Sequence, residues 1–587
     1  MISKIHSDKY IFIHTPKTCV RNLFFRIDWT IDVVDSNKSD TIKTYFEIDK
    51  SLSQYACYEY CDPIVFSFLS FVMKNSYDIY SESPITLDLY HKLTTLYMPV
   101  LAKGDSSLSV VRIFADVKNP FFNGTHVGTG VSGGIDSLCT TIRNINSKDE
   151  SYRLTDLVYF DIKTFEFPKF TRSNLIKPVT ISNYYNLPIF NIHSDIMAKI
   201  PTCSGSLLHY YISSIMITRW YWRRYYLSST YYINDLNVDN YSTTTTPDRN
   251  EMLLAYVAST NGFEIFPESI DLKNRYEKIK EISSSPPPIV NPCFISADNC
   301  GWCLKCIRTL ICIDANKDLE KYSSSFNIDE YVNNKDLVYS YVLNNDSIYL
   351  RGIANLIDCP ENYIERSISN IDELVTEACS RNVSGALFYS GYQKYIRKQY
   401  SEALDLFLRS ESSGSSNPSL FDCIGDIFFS GKGVEKDLKK AGSYYLKAYN
   451  IERTENRKER LFSCLLLDSS AESISQLMQM ISPTSPEDYT SLKYLGMLYR
   501  RGLGFEKNLL DAAEFLKSAY LHDVVNAAYE YFDVLWDINT PDSLVEMISV
   551  AKELEVTGDK SILGRFGRAY RYGRGVDKNL ETAANYY

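Results

Sequence analysis

The stretch from His126 to Asn144, HVGTGVSGGIDSLCTTIRN, joins a short β-like run to a helix-forming run through the hexapeptide Ser132–Ser137, SGGIDS. Gly133 and Gly134 lack the Cβ atoms that would keep an anion away from the backbone, and the following helix directs its N–H groups and positive dipole end toward the same place. The loop is therefore predicted to bind nucleotide phosphates. No Gly-Lys-Ser/Thr follows it, so hydrolysis of a γ-phosphate in the manner of motor or switch ATPases is not expected.

Outward from this loop, residues 119–315 alternate short β-like runs with longer helical ones, which is the rhythm of a parallel sheet. The β-like runs are Leu157–Phe160, Pro188–Ile192 and Tyr231–Ile233. The aromatic run Tyr210–Tyr226 has apolar residues at helical spacing and is predicted to be a buried core helix rather than a surface on which bases stack. In the strand before the loop, Gly128 and Gly130 indicate either close backbone packing or a weakened site.

Four cysteines near the end of this region are spaced C-x6-C-x2-C-x2-C: Cys293, Cys300, Cys303 and Cys306. Four thiolates at this density can close a tetrahedron around Zn²⁺, and a site with four cysteine ligands leaves no open position for catalysis. A structural zinc is therefore predicted, ahead of an iron–sulfur cluster. The other ten of the 14 cysteines are scattered without a pairing pattern, which favours a reducing cytoplasm over a disulfide framework.

The hexapeptide resembles the SGGxDS signature of the PP-loop ATP pyrophosphatases, which cleave ATP between its α and β phosphates. The loop and the later cysteine knuckle together resemble the 7-cyano-7-deazaguanine synthase family, over about residues 119–315. The resemblance implies that the whole loop binds the nucleotide, that Asp136 also positions Mg²⁺ or the loop, and that Asp136 and Ser137 are catalytic. The implied nucleotide-binding residues are Ser132, Gly133, Gly134, Ile135, Asp136 and Ser137.

A predicted helix after the sheet carries Arg275, Lys278 and Lys280. Lys278 is a candidate ligand for triphosphate oxygens, and the alternative is an ordinary solvated charged face.

Members of the resembled family activate a deazaguanine carboxylate with ATP and use ammonia to make an amide and then a nitrile. The resemblance thus implies a carbon–nitrogen ligase with ATP, Mg²⁺ and Zn²⁺ as cofactors, AMP and pyrophosphate as products, and a carboxylate and an ammonia or amine donor as substrates. The pathway would be queuosine-like biosynthesis or a specialised modification, including antiviral defence. The substrate-side loop, residues 235–253, matches only at Pro247-Asp248, so another acid could replace the nucleobase.

Two alternatives stay open. One is an amidotransferase that acts on a surface-sugar precursor, and the other is a catalytically weak nucleotide-binding scaffold that acts through the C-terminal part of the chain.

That C-terminal part repeats with a period of 71 residues: Gly425, Gly496 and Gly567; Gly431, Gly502 and Gly573; Gly433, Gly504 and Gly575; Asp437, Asn508 and Asn579; and Ala441, Ala512 and Ala583. Two units of about 35 residues fit each period, with a degenerate unit between the clear ones. A glycine with positive φ would end the first helix of each clear unit, and Asp or Asn would cap the second. Residues 383–587 resemble Sel-one-like repeats of the tetratricopeptide superfamily, which implies a solenoid that binds a protein partner.

The predicted architecture is therefore an α/β parallel-sheet PP-loop nucleotide-binding domain with a zinc knuckle, preceded by a small α+β domain and followed by an all-α helical-repeat solenoid. The predicted domains are residues 1–118, 119–315, a helical connector at 316–382, and the repeats at 383–587. In the first domain, strands are predicted at 22–34, 41–48 and 109–117, and helices at 63–74 and 85–100.

Charge and hydropathy exclude further classes of function. A net charge of −10 disfavours general electrostatic binding to nucleic acid or anionic lipid. The most lipid-like segment, Pro63–Met73, is about half of the ~20 residues that a membrane helix needs, so it is predicted to be a core helix, and neither a membrane span nor export is expected.

The last repeat stops within a helix whose apolar face holds Ala583, Ala584, Tyr586 and Tyr587, and this face is predicted to dock on a second copy of the chain or on a partner protein.

Overall fold

The computed structural model divides the chain into two compact units, residues 1–398 with 405–417 and residues 399–404 with 418–587. The described residues are 7–21, 23–36, 38–162, 176–200, 207–230, 232–233, 251–293, 295–296, 298–345, 350, 352–357, 368–481, 487–522, 524, 526–555 and 560–587.

Strands occur only in the first unit within these ranges. They are β1 Lys9–Ile13, β2 Lys17–Arg21, β3 Phe24–Asp35, β4 Lys38–Asp49, β5 Asp78–Ser81, β6 Ile85–Thr86, β7 Ile113–Phe114, β8 Val117–Lys118, β9 His126–Gly130, β10 Asp156–Ile162, β11 Ile189–Ser194, β12 Trp222–Ser228 and β13 Glu264–Glu268.

One mixed sheet of 11 strands has the order β13-β12-β9-β10-β11-β4-β3-β1-β5-β7, with β2 paired to β3. The strands from β13 to β11 in this order are parallel to one another, as predicted. The sheet does not end there, because β11 pairs antiparallel with β4. The strands of residues 1–118 thus extend the sheet that carries the glycine loop, and they cover an edge that would otherwise leave unpaired N–H and C=O groups. The predicted domain boundaries stay predictions.

The first unit also contains helices. They are α1 Asp62–Asn75, α2 Leu87–Lys92, α3 Met98–Gly104, α4 Ile135–Ile145, α5 Ile176–Tyr185, α6 Ile196–Lys199, α7 Leu207–Met216, α8 Glu251–Ala258, α9 Arg275–Ser283, α10 Leu304–Ala315, α11 Ile328–Asn333, α12 Lys335–Leu343, α13 Ile371–Ser380, α14 Ser384–Ile396 and α15 Tyr400–Ser412, the last of which crosses the division between the units. A π-helical turn, Leu93–Tyr97, joins α2 to α3. The core helix predicted at Pro63–Met73 is confirmed as α1, which is almost entirely buried.

Two of the predicted elements in this unit are wrong. The run Tyr210–Tyr226 is not one core helix: α7 ends at Met216, turns follow, and the chain then forms β12. Trp222, Tyr225 and Tyr226 favour a strand because aromatic side chains pack well on a sheet, and β12 pairs with β9 and β13. The strand predicted at Tyr231–Ile233 is absent at Tyr232 and Ile233, which lie beyond the end of β12, and Tyr231 is outside the described residues.

The strand predicted over residues 109–117 is reduced to the two-residue strands β7 and β8, while the predictions at β3 and β4 are confirmed within a few residues. Among the described residues no helix combines the length and the apolar composition that a membrane crossing requires.

The second unit consists of helices in antiparallel pairs, so the predicted helical repeat is confirmed. The helices are α16 Pro418–Ser430, α17 Leu438–Ile451, α18 Glu455–Asp468, α19 Ala471–Ile481, α20 Tyr489–Arg501, α21 Leu509–Leu521, α22 Ala527–Ile538, α23 Pro541–Glu555, α24 Lys560–Tyr572 and α25 Leu580–Tyr586. The pairs α18/α19 and α22/α23 are the degenerate units between the clear ones.

The turn between α20 and α21 shows how the repeat residues act. Gly502 ends α20 at φ +68°, and the side chain of Asn508 accepts hydrogen bonds from the N–H groups of Leu510 and Asp511 at the start of α21. A Cβ atom on Gly496 would lie 2.7 Å from Leu516, so the glycine is needed for the close approach of the two helices.

Stacked aromatic rings join the two helices of each clear pair at the same 71-residue step. The pairs are Phe428–Tyr444 (ring centroids 6.1 Å apart), Tyr499–Phe515 (5.8 Å) and Tyr570–Tyr586 (5.7 Å).

Candidate active site

The glycine loop lies at the carboxyl edge of the parallel strands, where β9 ends and α4 begins. In the strand order, β10 and β11 lie on one side of β9, and β12, which follows them in the chain, lies on its other side. Such a switch point opens a crevice at the carboxyl ends of the strands, and ligands of open α/β sheets bind there. The prediction of strand, loop and helix around Ser132–Ser137 is confirmed, whereas nucleotide binding stays a prediction.

Hydrogen bonds within the loop hold it open toward this crevice. Ser132 Oγ lies 3.2 Å from Ser137 Oγ and accepts from Gly134 N at 3.3 Å, while Ser137 Oγ donates to Gly134 O at 3.0 Å. Gly133 has φ +78°, a conformation that favours glycine. Gly134 is the N-cap of α4 and no side chain caps this helix, so the N–H groups of its first turn, which starts at the buried Ile135, remain for an anion.

The two glycines of β9 allow close packing, which is one of the two explanations that the sequence offered. A Cβ atom on Gly128 would lie 2.6 Å from the ring of Trp222, and one on Gly130 would lie 3.3 Å from Phe160 and from the hydroxyl of Tyr225. Bulky aromatic side chains from β10 and β12 thus take the space that larger residues on β9 would need.

Three buried cations surround Asp136 of the loop. Lys278 Nζ, on α9, donates to Asp136 Oδ1 at 2.7 Å and to Ser229 O at 2.5 Å, and its side chain is fully buried. Arg275 Nη1, one turn earlier on α9, lies 3.8 Å from Asp136 Oδ2. Arg308, on α10, is buried as well and acts on the charge of Asp136.

These charges decide the ionisation of the loop carboxyl. Burial alone would raise the pKa of Asp136, but the positive charges of Lys278, Arg275 and Arg308 outweigh it and hold the pKa well below its usual value. Asp136 is therefore a carboxylate at neutral pH. Lys278, Arg275 and Arg308 thus place positive charge beside the glycine loop.

Several buried polar atoms near the carboxyl edge lack a partner among the described residues. Ser228 Oγ and Ser229 Oγ, at the end of β12, are two of them. A third is Nε2 of His193 on β11, whose Nδ1 lies 3.1 Å from Asp161 Oδ2 on β10. Buried polar groups without partners are uncommon and are often satisfied by a ligand or water.

No sequence pattern indicates the Asp161–His193 pair, because its members lie 32 residues apart in the chain and meet only through the pairing of β10 with β11.

The four clustered cysteines meet as predicted. Their sulfur atoms all lie within 4.8 Å of one another, and Cys300, Cys303 and Cys306 are buried. Sulfurs around a tetrahedral zinc with Zn–S bonds of about 2.3 Å lie ~3.8 Å apart, so the set fits this ion with a small inward movement. Hydrogen bonds from the other three thiols lower the pKa of Cys293 well below its usual value, whereas burial raises the pKa of Cys300 and Cys306, so these two thiols would release protons when a metal binds.

The cysteine cluster and the glycine loop are joined by short contacts. Asn291, two residues before Cys293, donates its N–H to Gly133 O at 2.7 Å. Cys303 is the N-cap of α10, the helix that carries Arg308 toward Asp136. A metal at the cysteines would therefore hold in place a helix that contributes charge to the loop.

No disulfide joins the twelve cysteines of the described ranges. The predicted substrate-side loop, with Pro247-Asp248, lies outside the described residues except for the last three positions, which belong to α8. Lys280 is exposed on α9, in agreement with a solvated position.

No protein-family profile matches the sequence, and no curated protein matches it significantly. Among solved structures, a Sel1 repeat protein from Oxalobacter formigenes is 22% identical over 34% of this chain and 81% of its own, with a TM-score of 0.26. The protein c5321, a protective antigen present in uropathogenic Escherichia coli strains that displays an SLR fold, is 14% identical over 53% of this chain and 78% of its own, with a TM-score of 0.21. Scores this low do not establish a shared fold, and the repeat rests on the helix pairs described above.

Proposed function

We propose that the first unit binds ATP at the glycine loop, adenylates a carboxylic acid with release of pyrophosphate, and transfers the acyl group to ammonia or an amine. The observation that carries this proposal is the cluster of Lys278, Arg275 and Arg308 around Asp136, beside an uncapped helix N-terminus in the sheet crevice.

The charge balance supports a polyphosphate ligand. Buried cations such as Lys278 and Arg275 are held more favourably in a folded protein when negative charge lies close to them. A triphosphate supplies that charge, and its Mg²⁺ would be held by phosphate oxygens together with Asp136, as the resemblance implies. Electrostatic stabilisation by such cations is the main catalytic contribution expected at an α-phosphorus under attack by a carboxylate.

The nucleotide products identify the class of reaction. We expect incubation of the protein with ATP, Mg²⁺, ammonia and a 7-deazaguanine carboxylic acid to yield AMP and pyrophosphate, measured by mass spectrometry. Asp136→Asn should lower product formation at least about 100-fold, since it removes a carboxylate at the reacting phosphates. Formation of ADP and orthophosphate instead would refute the proposal.

A second candidate is a nucleotide-binding scaffold with little turnover, and one contact favours it. Lys278 already donates to Asp136 and Ser229, which leaves one of its three N–H bonds for a phosphate. Under this alternative the protein binds ATP in equilibrium dialysis, and ATP is recovered unchanged with each acid tested.

The helix pairs of the second unit are proposed to bind a protein partner, because stacked helix pairs present an extended surface. An apolar cavity of about 910 Å³ between α19 and α20, lined by Ile474, Met478, Leu498, Tyr499 and Phe505, is one place for its side chains. Charged substitution at Met478 should abolish capture of the partner from a lysate while leaving ATP binding unchanged.

A further inference from the structure

A cavity of about 610 Å³ in the first unit lies at the amino ends of the parallel strands, whereas the glycine loop lies at their carboxyl ends. It is bordered by Thr125, directly before the amino end of β9, and by Tyr221, directly before β12. Three separate segments line it, namely residues 54–59, 123–125 and 220–221. The cavity therefore shares no lining residue with the phosphate loop.

Four aromatic side chains line this cavity: Tyr55, Tyr58, Trp220 and Tyr221. Tyr55 meets Tyr221 edge to face with ring centroids 4.9 Å apart, and His126 stacks on Tyr221 at 3.8 Å. Tyr58 keeps 38% of its surface exposed, so part of the aromatic wall is open to a ligand.

One carboxylate lines the cavity together with these aromatic side chains. Glu59 lines the cavity, and its Oε1 accepts a hydrogen bond from the indole Nε1 of Trp220 at 2.7 Å. Arg219, next to Trp220 in the chain, is not a lining residue, because its guanidinium is fully buried and paired with Asp62 Oδ2 at 2.6 Å. The lining residues thus include a carboxylate and no lysine or arginine.

The buried Arg219 also fixes the three walls relative to one another. Its Nε donates to Cys57 Sγ at 3.1 Å, and its guanidinium lies over the rings of Phe122, at 4.3 Å, and Tyr60, at 5.3 Å. Each of these partners lies within or next to a segment that lines the cavity. The aromatic wall is therefore held in place before a ligand arrives, which lowers the entropic cost of binding.

We propose that this cavity is a binding site for an organic cation, an alkylammonium or guanidinium group, held by the aromatic rings of Tyr55, Tyr58, Trp220 and Tyr221 and by the carboxylate of Glu59. Aromatic faces attract such cations through their negative electrostatic potential, and cages of aromatic rings are the usual way in which proteins bind them. The single carboxylate and the lack of lining cations favour a cationic group over a nucleotide, whose phosphates would require positive charge.

The test uses the full-length protein and a pair of ligands that differ only in charge. Choline carries a quaternary nitrogen where 3,3-dimethylbutan-1-ol carries a neutral carbon of the same shape. We expect isothermal titration calorimetry to show that choline binds about tenfold more tightly than the neutral alcohol, as cation–π attraction and one carboxylate require. Arginine methyl ester serves as the guanidinium probe in the same measurement.

Two variants separate the site from unspecific binding. Glu59→Gln should weaken choline binding about fivefold and leave the affinity for the neutral alcohol unchanged, while Glu150→Gln, at an exposed carboxylate that is not a lining residue, should change neither. Trp220→Leu should reduce the affinity for both ligands. Because Glu59 is exposed, its substitution does not threaten folding.

Equal affinity for choline and the alcohol, or unchanged choline binding in Glu59→Gln, would overturn the proposal in favour of a merely apolar cavity. Binding of neither cation would overturn it outright. Tighter binding of AMP than of choline, lost in Trp220→Leu, would overturn it in favour of a nucleobase. None of these outcomes depends on the glycine loop, so this inference stands or fails separately from the proposed ATP chemistry.

Discussion

At the scale of single residues, the ion pair between Lys278 and Asp136 is the contact most directly tied to the loop. We expect Lys278→Met to lower the free energy of unfolding at pH 7 by about 2 kcal/mol, less than a fully buried pair loses, because Arg275 stays near Asp136. Lys280→Met, on the exposed side of the same helix, should change it by less than about 0.5 kcal/mol. Urea denaturation of both variants measures the difference.

The pH dependence of this effect follows from the lowered pKa of Asp136. Its ionised form is favoured in the folded state, so the stability that it contributes is fully present above the unfolded pKa of about 3.9 and is lost as the pH falls toward the folded value. The difference between wild type and Lys278→Met should therefore shrink below about pH 4. A difference that stays constant down to pH 2 would show that Asp136 is not the partner that matters.

Also at this scale, the Asp161–His193 pair has the geometry of an oriented base, with one imidazole nitrogen at a carboxylate and the other without a described partner. If it accepts the proton of the attacking amine, His193→Gln should lower amide formation about 10²- to 10⁴-fold. ATP–pyrophosphate exchange, which reports only adenylation, should persist. His126→Gln, at the amino end of β9, is the matched control, and an equal loss of exchange in His193→Gln would assign it a structural role instead.

At the scale of elements, the cysteine cluster and α10 are continuous, because Cys303 occupies the N-cap position of the helix that holds Arg308 near Asp136. We expect Cys300→Ser to lose bound zinc and to weaken ATP binding about tenfold or more, since the helix start loses its anchor. Cys312→Ser removes a buried thiol of the same helix that is not a ligand, and it should keep both properties. Metal analysis and equilibrium dialysis test this, and zinc loss with unchanged ATP affinity would contradict it.

At the scale of the whole molecule, each unit has its own buried core, one around β3, α1 and α7 and the other around α18, α20 and α22. We expect scanning calorimetry to resolve two transitions. ATP at 100 times its Kd should stabilise only the first unit, by about 2.7 kcal/mol. Asp533→Asn, which breaks the 2.9 Å ion pair of α22 with Arg565 on α24, should lower only the other transition. One transition that responds to both changes would contradict this picture.

Local sequence was enough to predict features whose parts lie close together in the chain. Examples are the glycine loop between β9 and α4, the four cysteines and the turns of the repeat. Each of these features spans about 15 residues or fewer, so backbone preferences and spacing specify it. The period of 71 residues also made the pairing of the helices predictable, because each clear repeat has the same glycine, N-cap residue and aromatic pair.

Features that depend on contacts between distant segments of the chain are visible only in the tertiary structure. The run Trp222–Ser228 pairs with β9 and β13, and Gly128 on β9 leaves the space that Trp222 occupies, a contact that no local pattern contains. The antiparallel pairing of β11 with β4 brings Ile192 and Ser194 beside Ile48 and Phe46, which lie far away in the chain. Lys278 reaches Asp136, His193 reaches Asp161 and Arg219 fixes the walls of the aromatic cavity for the same physical reason: burial makes unpaired charges and polar groups costly, so the fold brings their partners together from across the chain.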